Sequence, residues 1–189
     1  MPRQTRQQID DEIVDCAATL YARHGLQETS VQRIADAVGY SKSGLLRHYP
    51  SKEALQDAVV SRCLSEVLEI TDRVAGQAPG PQRDAAAITG LAELALRRPG
   101  FVALMLSWLL HTPDDSAVAA LQPIGDAIMR AFVVTEETDL GRVVRVTGAL
   151  GAVAVARFAL REHLTAGALG ELVDVGLHAL GHSGPIASR

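Results

Sequence analysis

Lysine is nearly absent from this chain of 189 residues: Lys42 and Lys52 are the only two. Cysteine is as rare. Cys16 and Cys63 lie 47 positions apart with no charged-then-apolar leader ahead of them, so nothing suggests a secreted disulfide framework and the cytoplasm is the expected compartment. Both thiols fall in or beside apolar helical faces, where such groups are normally inert. Long apolar runs are missing too. The richest, at 101–106, 108–110 and 152–156, fall well short of the roughly 18 residues that cross a bilayer, and no membrane segment is expected. No stretch alternates apolar and polar residues as a strand would, which leaves an all-α chain.

The common catalytic signatures are also lacking. Gly39 and Gly44 have the spacing that opens a phosphate-binding loop, but Leu45 and Leu46 stand where Lys and Ser/Thr would hold phosphate and Mg2+. Gly39-Tyr40-Ser41-Lys42-Ser43 lacks the closing glycine of a nucleophile elbow, and no His-Glu-x-x-His occurs. His178 and His182, four apart, read as the end of an amphipathic helix rather than a metal pair. No catalytic residue, cofactor or metal site is expected.

What is present is 48% hydrophobic content, enough for a packed core, and a net charge of -4. That charge argues against a nucleic-acid partner until it is divided along the chain. Residues 1–55 carry seven Lys+Arg and seven Asp+Glu, so the whole excess lies beyond them. Asp10, Asp11, Glu12 and Asp15 cluster in one helical pattern, whereas Lys42, Arg47 and Lys52 gather in another.

Residues 29–55 carry the start and stop signals of two short helices and the launch of a third. Thr29 or Ser30 caps the first, with Gln32 completing a capping-box pattern; Gly39 turns the chain; a second helix starts near Ser41; and Pro50-Ser51 opens the next. This is a helix-turn-helix pattern, whose second helix can enter a DNA major groove. Ahead of it, Thr5 and Gln8 match a capping box, and Ile9, Ile13, Cys16, Ala17 and Leu20 recur at helical spacing until Gly25. The spacing predicts burial of Leu45 and Leu46, with Lys42, Ser43 and Arg47 facing outward. Arg3 and Arg6 form a short basic arm.

A connector helix is expected over 52–75, ended by the Gly- and Pro-rich stretch at 76–81. Helical patterns follow over 84–97, 101–111 and about 114–132, the last containing Pro123, which should kink it. Glu136, Glu137 and Asp139 favour the start of a helix running to about His163. It carries a heptad-like stripe of Val143, Val146, Leu150, Val153, Arg157 and Leu160 among small residues, and a last helix places Leu169, Leu172, Val173, Leu177 and Leu180 on one side. These two helices are the expected dimer interface, a four-helix bundle about a two-fold axis. A mostly apolar pocket is expected among Phe101, Leu104, Met105, Trp108, Leu109, Ile128, Met129 and Phe132, with His111 as a polar handle for a small apolar effector. The organisation expected is a DNA-binding domain at 1–51, the connector at 52–75 and a ligand-binding and dimerisation domain at 76–189.

Residues 9–55 resemble the N-terminal domain of TetR-family bacterial transcriptional regulators. The likeness rests on Leu20-Tyr21-Ala22-Arg23-His24-Gly25, Thr29-Ser30-Val31 with Ile34-Ala35, Gly39-Tyr40-Ser41-Lys42-Ser43-Gly44-Leu45, and His48-Tyr49-Pro50-Ser51-Lys52-Glu53-Ala54-Leu55. It implies a homodimeric repressor on double-stranded DNA, bound to a palindromic operator and released by an effector. It further implies Lys42, Ser43 and Arg47 near base edges, with Thr29, Ser30, His48, Tyr49 and Lys52 at phosphate or packing positions, and Gln32 and Arg33 as backbone contacts. Leu46 departs from the pattern, standing where the family often has Tyr, so a phosphate-contacting hydroxyl is missing there. A helical scaffold that keeps the fold without ligand-controlled DNA release is the competing reading.

Overall fold

The computed structural model describes residues 5–109, 116–160 and 166–182. Among these are nine α-helices and no strand: α1 (Arg6–His24), α2 (Val31–Ala37), α3 (Lys42–His48), α4 (Lys52–Ala75), α5 (Pro81–Arg97), α6 (Pro99–Leu109), α7 (Ser116–Ala131), α8 (Leu140–Ala159) and α9 (Leu169–Ala179). A 3-10 turn, Ala166–Ala168, precedes α9.

The ends of the helices follow local chemistry. Thr5 and Gln8 close a reciprocal capping box, the Gln8 amide donating to Thr5 Oγ1 at 3.2 Å and the Thr5 amide to Gln8 Oε1 at 2.8 Å. Gly25 and Gly39 end α1 and the α2 turn at φ 84 and 72, a left-handed region that side chains with a Cβ disfavour. Ser30 caps α2 by accepting from the Arg33 amide. The expected capping box from Thr29 to Gln32 does not form, because Ser30 is the cap and puts Arg33 at the third helical position; Gln32 Nε2 donates forward to Asp36 Oδ1 at 2.6 Å. α7 runs through Pro123 as one helix.

The chain forms two compact units. The first contains α1 to α3, α4 as far as Cys63, and residues 100–121, a segment expected with the second domain. Its core joins Ile13, Ala17 and Tyr21 of α1, Ile34 of α2, Leu45 of α3, Leu55 and Val59 of α4, and Phe101 and Leu104 of α6, all buried. Three carboxylates of α1 fasten its neighbours. Asp10 Oδ1 lies 3.0 Å from His48 Nδ1, Asp11 Oδ1 accepts from Arg62 Nη1 at 2.8 Å, and Asp15 Oδ1 accepts from the Gly100 amide at 3.0 Å. A Cβ at position 100 would sit 2.0 Å from the Asp15 carbonyl oxygen, so only glycine lets α6 start there.

The second unit contains the rest of α4, α5, α7 from Gln122, α8 and α9. Val74, Ala87, Ile88, Phe132, Val146, Ala149, Leu177 and Leu180 form its core. Glycine again permits close approach, since a Cβ at Gly176 would meet Ile88 Cγ2 at 2.9 Å. Two adjacent buried residues in the first turn of α5 hold the helix ends together. Arg83 donates to the carbonyls of Ala131, Arg130, Gln77 and Ala75, oxygens at helix ends that have no intrahelical partner. Asp84, 1% exposed, accepts both guanidinium arms of Arg142 at 2.7 and 2.6 Å and lies 2.8 Å from His182 Nε2. Arg142 Nη2 also takes the Phe132 carbonyl. With three successive carbonyls at the end of α7 held this way, Val133 is kept at φ 56, a costly conformation for a β-branched residue.

Burial alone would push the Asp84 carboxyl up, but hydrogen bonds from Arg142 and His182, with their charges, carry it below the usual carboxylate value. Its unfolded value is about 3.9. A depressed folded value means that this stabilisation is complete above about pH 4 and is lost as pH falls through the folded value. Asp84→Asn should destabilise the protein by about 3 kcal/mol, because it strands a partly buried guanidinium. In urea titrations over pH, the variant should also lack the wild-type loss of stability below about pH 4.

Candidate nucleic-acid interface

The first unit presents α3 on a fixed base. Ser41 caps it, its Oγ accepting from the Gly44 amide at 3.0 Å. Gly44 packs closely under that cap, where an added Cβ would lie 3.1 Å from Ser41 Oγ. Leu45 is fully buried and anchors the inner side, whereas Lys42, Ser43 and Arg47 are exposed. Ser43 Oγ is 3.2 Å from Ser41 Oγ, which holds it near the start of the helix. Leu46, expected in the core, is only half-buried. At about 100° per residue it falls on the same arc as Lys42, Ser43 and Arg47, opposite Leu45.

Around this helix the other candidates separate by role. Thr29 is fully buried, and its hydroxyl donates to the Gly25 carbonyl at 2.8 Å and the Leu20 carbonyl at 3.3 Å. It closes the α1–α2 turn and presents nothing to a phosphate. Ser30, Gln32 and Arg33 are exposed. His48 and Tyr49 are half-buried, His48 on Asp10 and edge-on to Tyr40 with ring centroids 5.9 Å apart. Lys52 Nζ donates to the Gln27 carbonyl and Gln56 Nε2 to that of Leu26, so the start of α4 clamps the loop before α2. Of the two lysines, Lys42 alone lies on the exposed arc of α3.

Residues 13–59 match the family model described as "Bacterial regulatory proteins, tetR family". That span starts within α1 and reaches into α4, enclosing the whole α2–α3 motif. Over these residues the chain is similar to the tetR family of bacterial regulatory proteins. It is similar to the HTH-type transcriptional repressor KstR2 of Rhodococcus jostii (strain RHA1), 41% identical over 56 residues that make up 30% of this chain and 28% of that protein. The match thus spans less than a third of the relative's length. Among solved structures, a TetR-family transcriptional regulator from Bordetella parapertussis 12822 aligns over 92% of this chain and 94% of its own, with a TM-score of 0.61 and 22% identity. The transcriptional regulator FadR of Bacillus subtilis, solved in complex with stearoyl-CoA, aligns over 89% of this chain and 96% of its own, with a TM-score of 0.57 and 16% identity. At such identities the TetR likeness in structure is one of fold.

The remaining candidates fall elsewhere. Of the apolar group expected to line one pocket, Phe101, Leu104 and Met105 belong to the first unit, Phe101 and Leu104 being buried there. Ile128, Met129 and Phe132 pack into the core of the second. The Trp108 and Leu109 side chains and all of His111 lie outside the described residues.

The dimer stripe is turned inward. Val146, Val153, Leu172, Leu177 and Leu180 are buried within the second unit, and Val143, Leu150, Leu169 and Val173 are half-buried beside them. Arg157 Nε donates to the Ala95 carbonyl on α5, and its Nη1 is buried with no acceptor among the described residues. Only Leu160, 47% exposed, is open. The exposed apolar side of α8 is instead Leu140, Val144, Val155 and Phe158, with Gly148 and Gly151 between them and open space beside both. Both stripes have helical spacing, so periodicity could not tell which one α5 and α9 would cover.

His178 Nδ1 bonds the Asp174 carbonyl and His182 bonds Asp84, so each imidazole is engaged on its own. Among the described residues no group of three His, Cys, Asp or Glu could hold a metal ion, and no helix is long and apolar enough to cross a membrane. Burial, then the charges of Asp15 and Glu12, push the Cys16 thiol up, away from the reactive thiolate. Thr29→Val should lower the melting temperature, costing about 1–2 kcal/mol for the lost hydroxyl. It should leave the salt dependence of DNA binding unchanged; a salt slope smaller by one phosphate would instead place Thr29 on the backbone.

Proposed function

We propose that this chain is a homodimeric, sequence-specific DNA-binding repressor. Its two α3 helices would enter successive major grooves of an inverted-repeat operator, with half-sites about 34 Å apart. The observation that carries this reading is the exposed arc of Lys42, Ser43 and Arg47 on a capped helix with a fully buried anchor, Leu45, behind it. Arg47 has the forked donor geometry that pairs with guanine, and Lys42 and Ser43 suit base edges or the adjoining backbone. Ser30, Gln32, Arg33, His48 and Tyr49 supply the phosphate contacts that fix register. Arg47→Ala should weaken binding to the selected operator by at least about tenfold in a mobility-shift titration and relax preference at one base pair per half-site. A shift unchanged by this substitution would sink the assignment.

The second copy is placed on the outer side of α8 and α9. Leu140, Val144, Val155, Phe158 and Val175 are exposed there, and Gly148, Gly151 and Gly170 leave room for a helix to approach closely. The two-fold arrangement brings like surfaces together and gives the DNA site its symmetry. Val155→Asp should convert a dimer to a monomer in sedimentation, with operator affinity falling in parallel, whereas a wild-type protein that sediments as a monomer removes the symmetric-operator reading.

The effector is read as a small apolar molecule. Binding that repositions α4, the helix following the motif, would respace the reading helices, and a coupling of about 1–3 kcal/mol suffices for release. This chemistry belongs in the cytoplasm, where the DNA lies.

A further inference from the structure

We propose that Leu46 reads a thymine, packing on its 5-methyl group in the major groove, and so specifies one base pair of each half-site that α3 occupies. This rests on the DNA-binding reading above. With Lys42 taken as zero, the helical advance of about 100° per residue puts Leu46 at about 40°, Ser43 at about 100° and Arg47 at about 140°. Gly44, His48 and Leu45 fall at about 200°, 240° and 300°. Burial follows the same division. Leu45 is fully buried, Gly44 and His48 are half-buried, and Lys42, Ser43 and Arg47 are exposed. Leu46 therefore stands between Lys42 and Ser43 on the outward arc, one turn on from Lys42, and is the only apolar side chain there. It is also half-buried. The folded unit has already restricted its rotamers, so less freedom is lost when a base covers the surface that remains.

The chemistry of the groove selects the partner. Lys42 and Arg47 put positive charge at both ends of the arc, which draws the phosphate backbone to it without regard to sequence. Leu46 can neither donate nor accept a hydrogen bond. Nearly everything the major groove presents needs one: guanine N7 and O6, adenine N7 and the 6-amino group, the cytosine 4-amino group and thymine O4. An alkyl chain pressed on any of these takes a polar atom out of water with nothing in exchange. The thymine methyl is the exception, since covering it removes apolar surface from water on both partners. Cytosine has only a hydrogen in that place. Leu46 thus favours one base and disfavours the others, which is how a side chain without hydrogen bonds gives specificity.

The test uses the full chain and a labelled duplex selected from a random library by the wild-type protein at low salt. Each thymine of the recovered site is replaced in turn by deoxyuridine, which keeps every hydrogen-bonding group and removes only the methyl, and affinity is read by fluorescence anisotropy. At one thymine per half-site the exchange should weaken binding by about fourfold, the effect of one methyl no longer covered. Leu46→Ala should bind thymine and uracil equally at that position. Its log–log salt slope should equal that of the wild type, because an apolar contact releases no counterion. If Leu46→Ala does not fold by circular dichroism, Leu46→Gln, of similar length, takes its place with the same expectations. A recovered site without thymine, equal affinity for thymine and uracil at every position, or a methyl effect that survives in the variant overturns the assignment and leaves DNA binding standing. So does a smaller salt slope in the variant, which would make Leu46 a support for Lys42 and Arg47. Recovery of no duplex at all overturns the DNA-binding reading and this inference with it.

Discussion

Three carboxylates on one helix hold the first unit in register. Asp10, Asp11 and Asp15 of α1 meet, in turn, the imidazole at the end of α3, a guanidinium on α4 and the Gly100 amide of α6. The apolar core supplies the larger share of cohesion but has no direction. The hydrogen-bonded carboxylates add direction, since each accepts from one donor at one distance and so sets where along α1 its neighbour can sit. The angle at which the exposed arc of α3 is presented depends on that setting. It also resolves an oddity of composition, an acidic helix within a unit that carries the exposed Lys42 and Arg47: at least three of its acids meet partners within the unit and leave the exposed arc of α3 positive.

The second unit solves a similar problem with a different pair. Arg83 and Asp84 sit side by side in the first turn of α5, yet one gathers carbonyls at the ends of α4 and α7 and the other gathers donors from α8 and from beyond α9. Helix ends expose polar groups that cannot be buried unpaired, and a bundle with short connections brings many such ends together. Two buried ionisable residues, each fully engaged, are costly to desolvate but define one arrangement. The positive φ of Val133 follows from it, because the chain leaving α7 is held by three carbonyls before it can relax.

Much of the candidate site could be read in advance, and the limits of that reading have a common cause. Thr5, Ser30 and Ser41 act as caps, and Gly25 and Gly39 as turns, because those roles depend on residues within four positions along the chain. Leu45 inward with Lys42 and Arg47 outward follows from helical period alone. Thr29 stayed open between phosphate and packing because its hydroxyl suits either, and the Leu20 and Gly25 carbonyls that claim it are nearby only once α1 has folded against the motif. The side of α8 that is covered escaped for the same reason: both sides are apolar or small.

The sequence by itself determined the helices, their ends, the all-α class and the outward face of α3, since each of these is set by short-range sterics and period. Tertiary structure alone decided which apolar stripe of α8 would be core, that residues 100–121 would join the N-terminal helices, and which partners the acids of α1 and α5 would hold. Those outcomes depend on pairing between segments tens of residues apart, where a carboxylate or a valine fits several partners equally and only packing selects one.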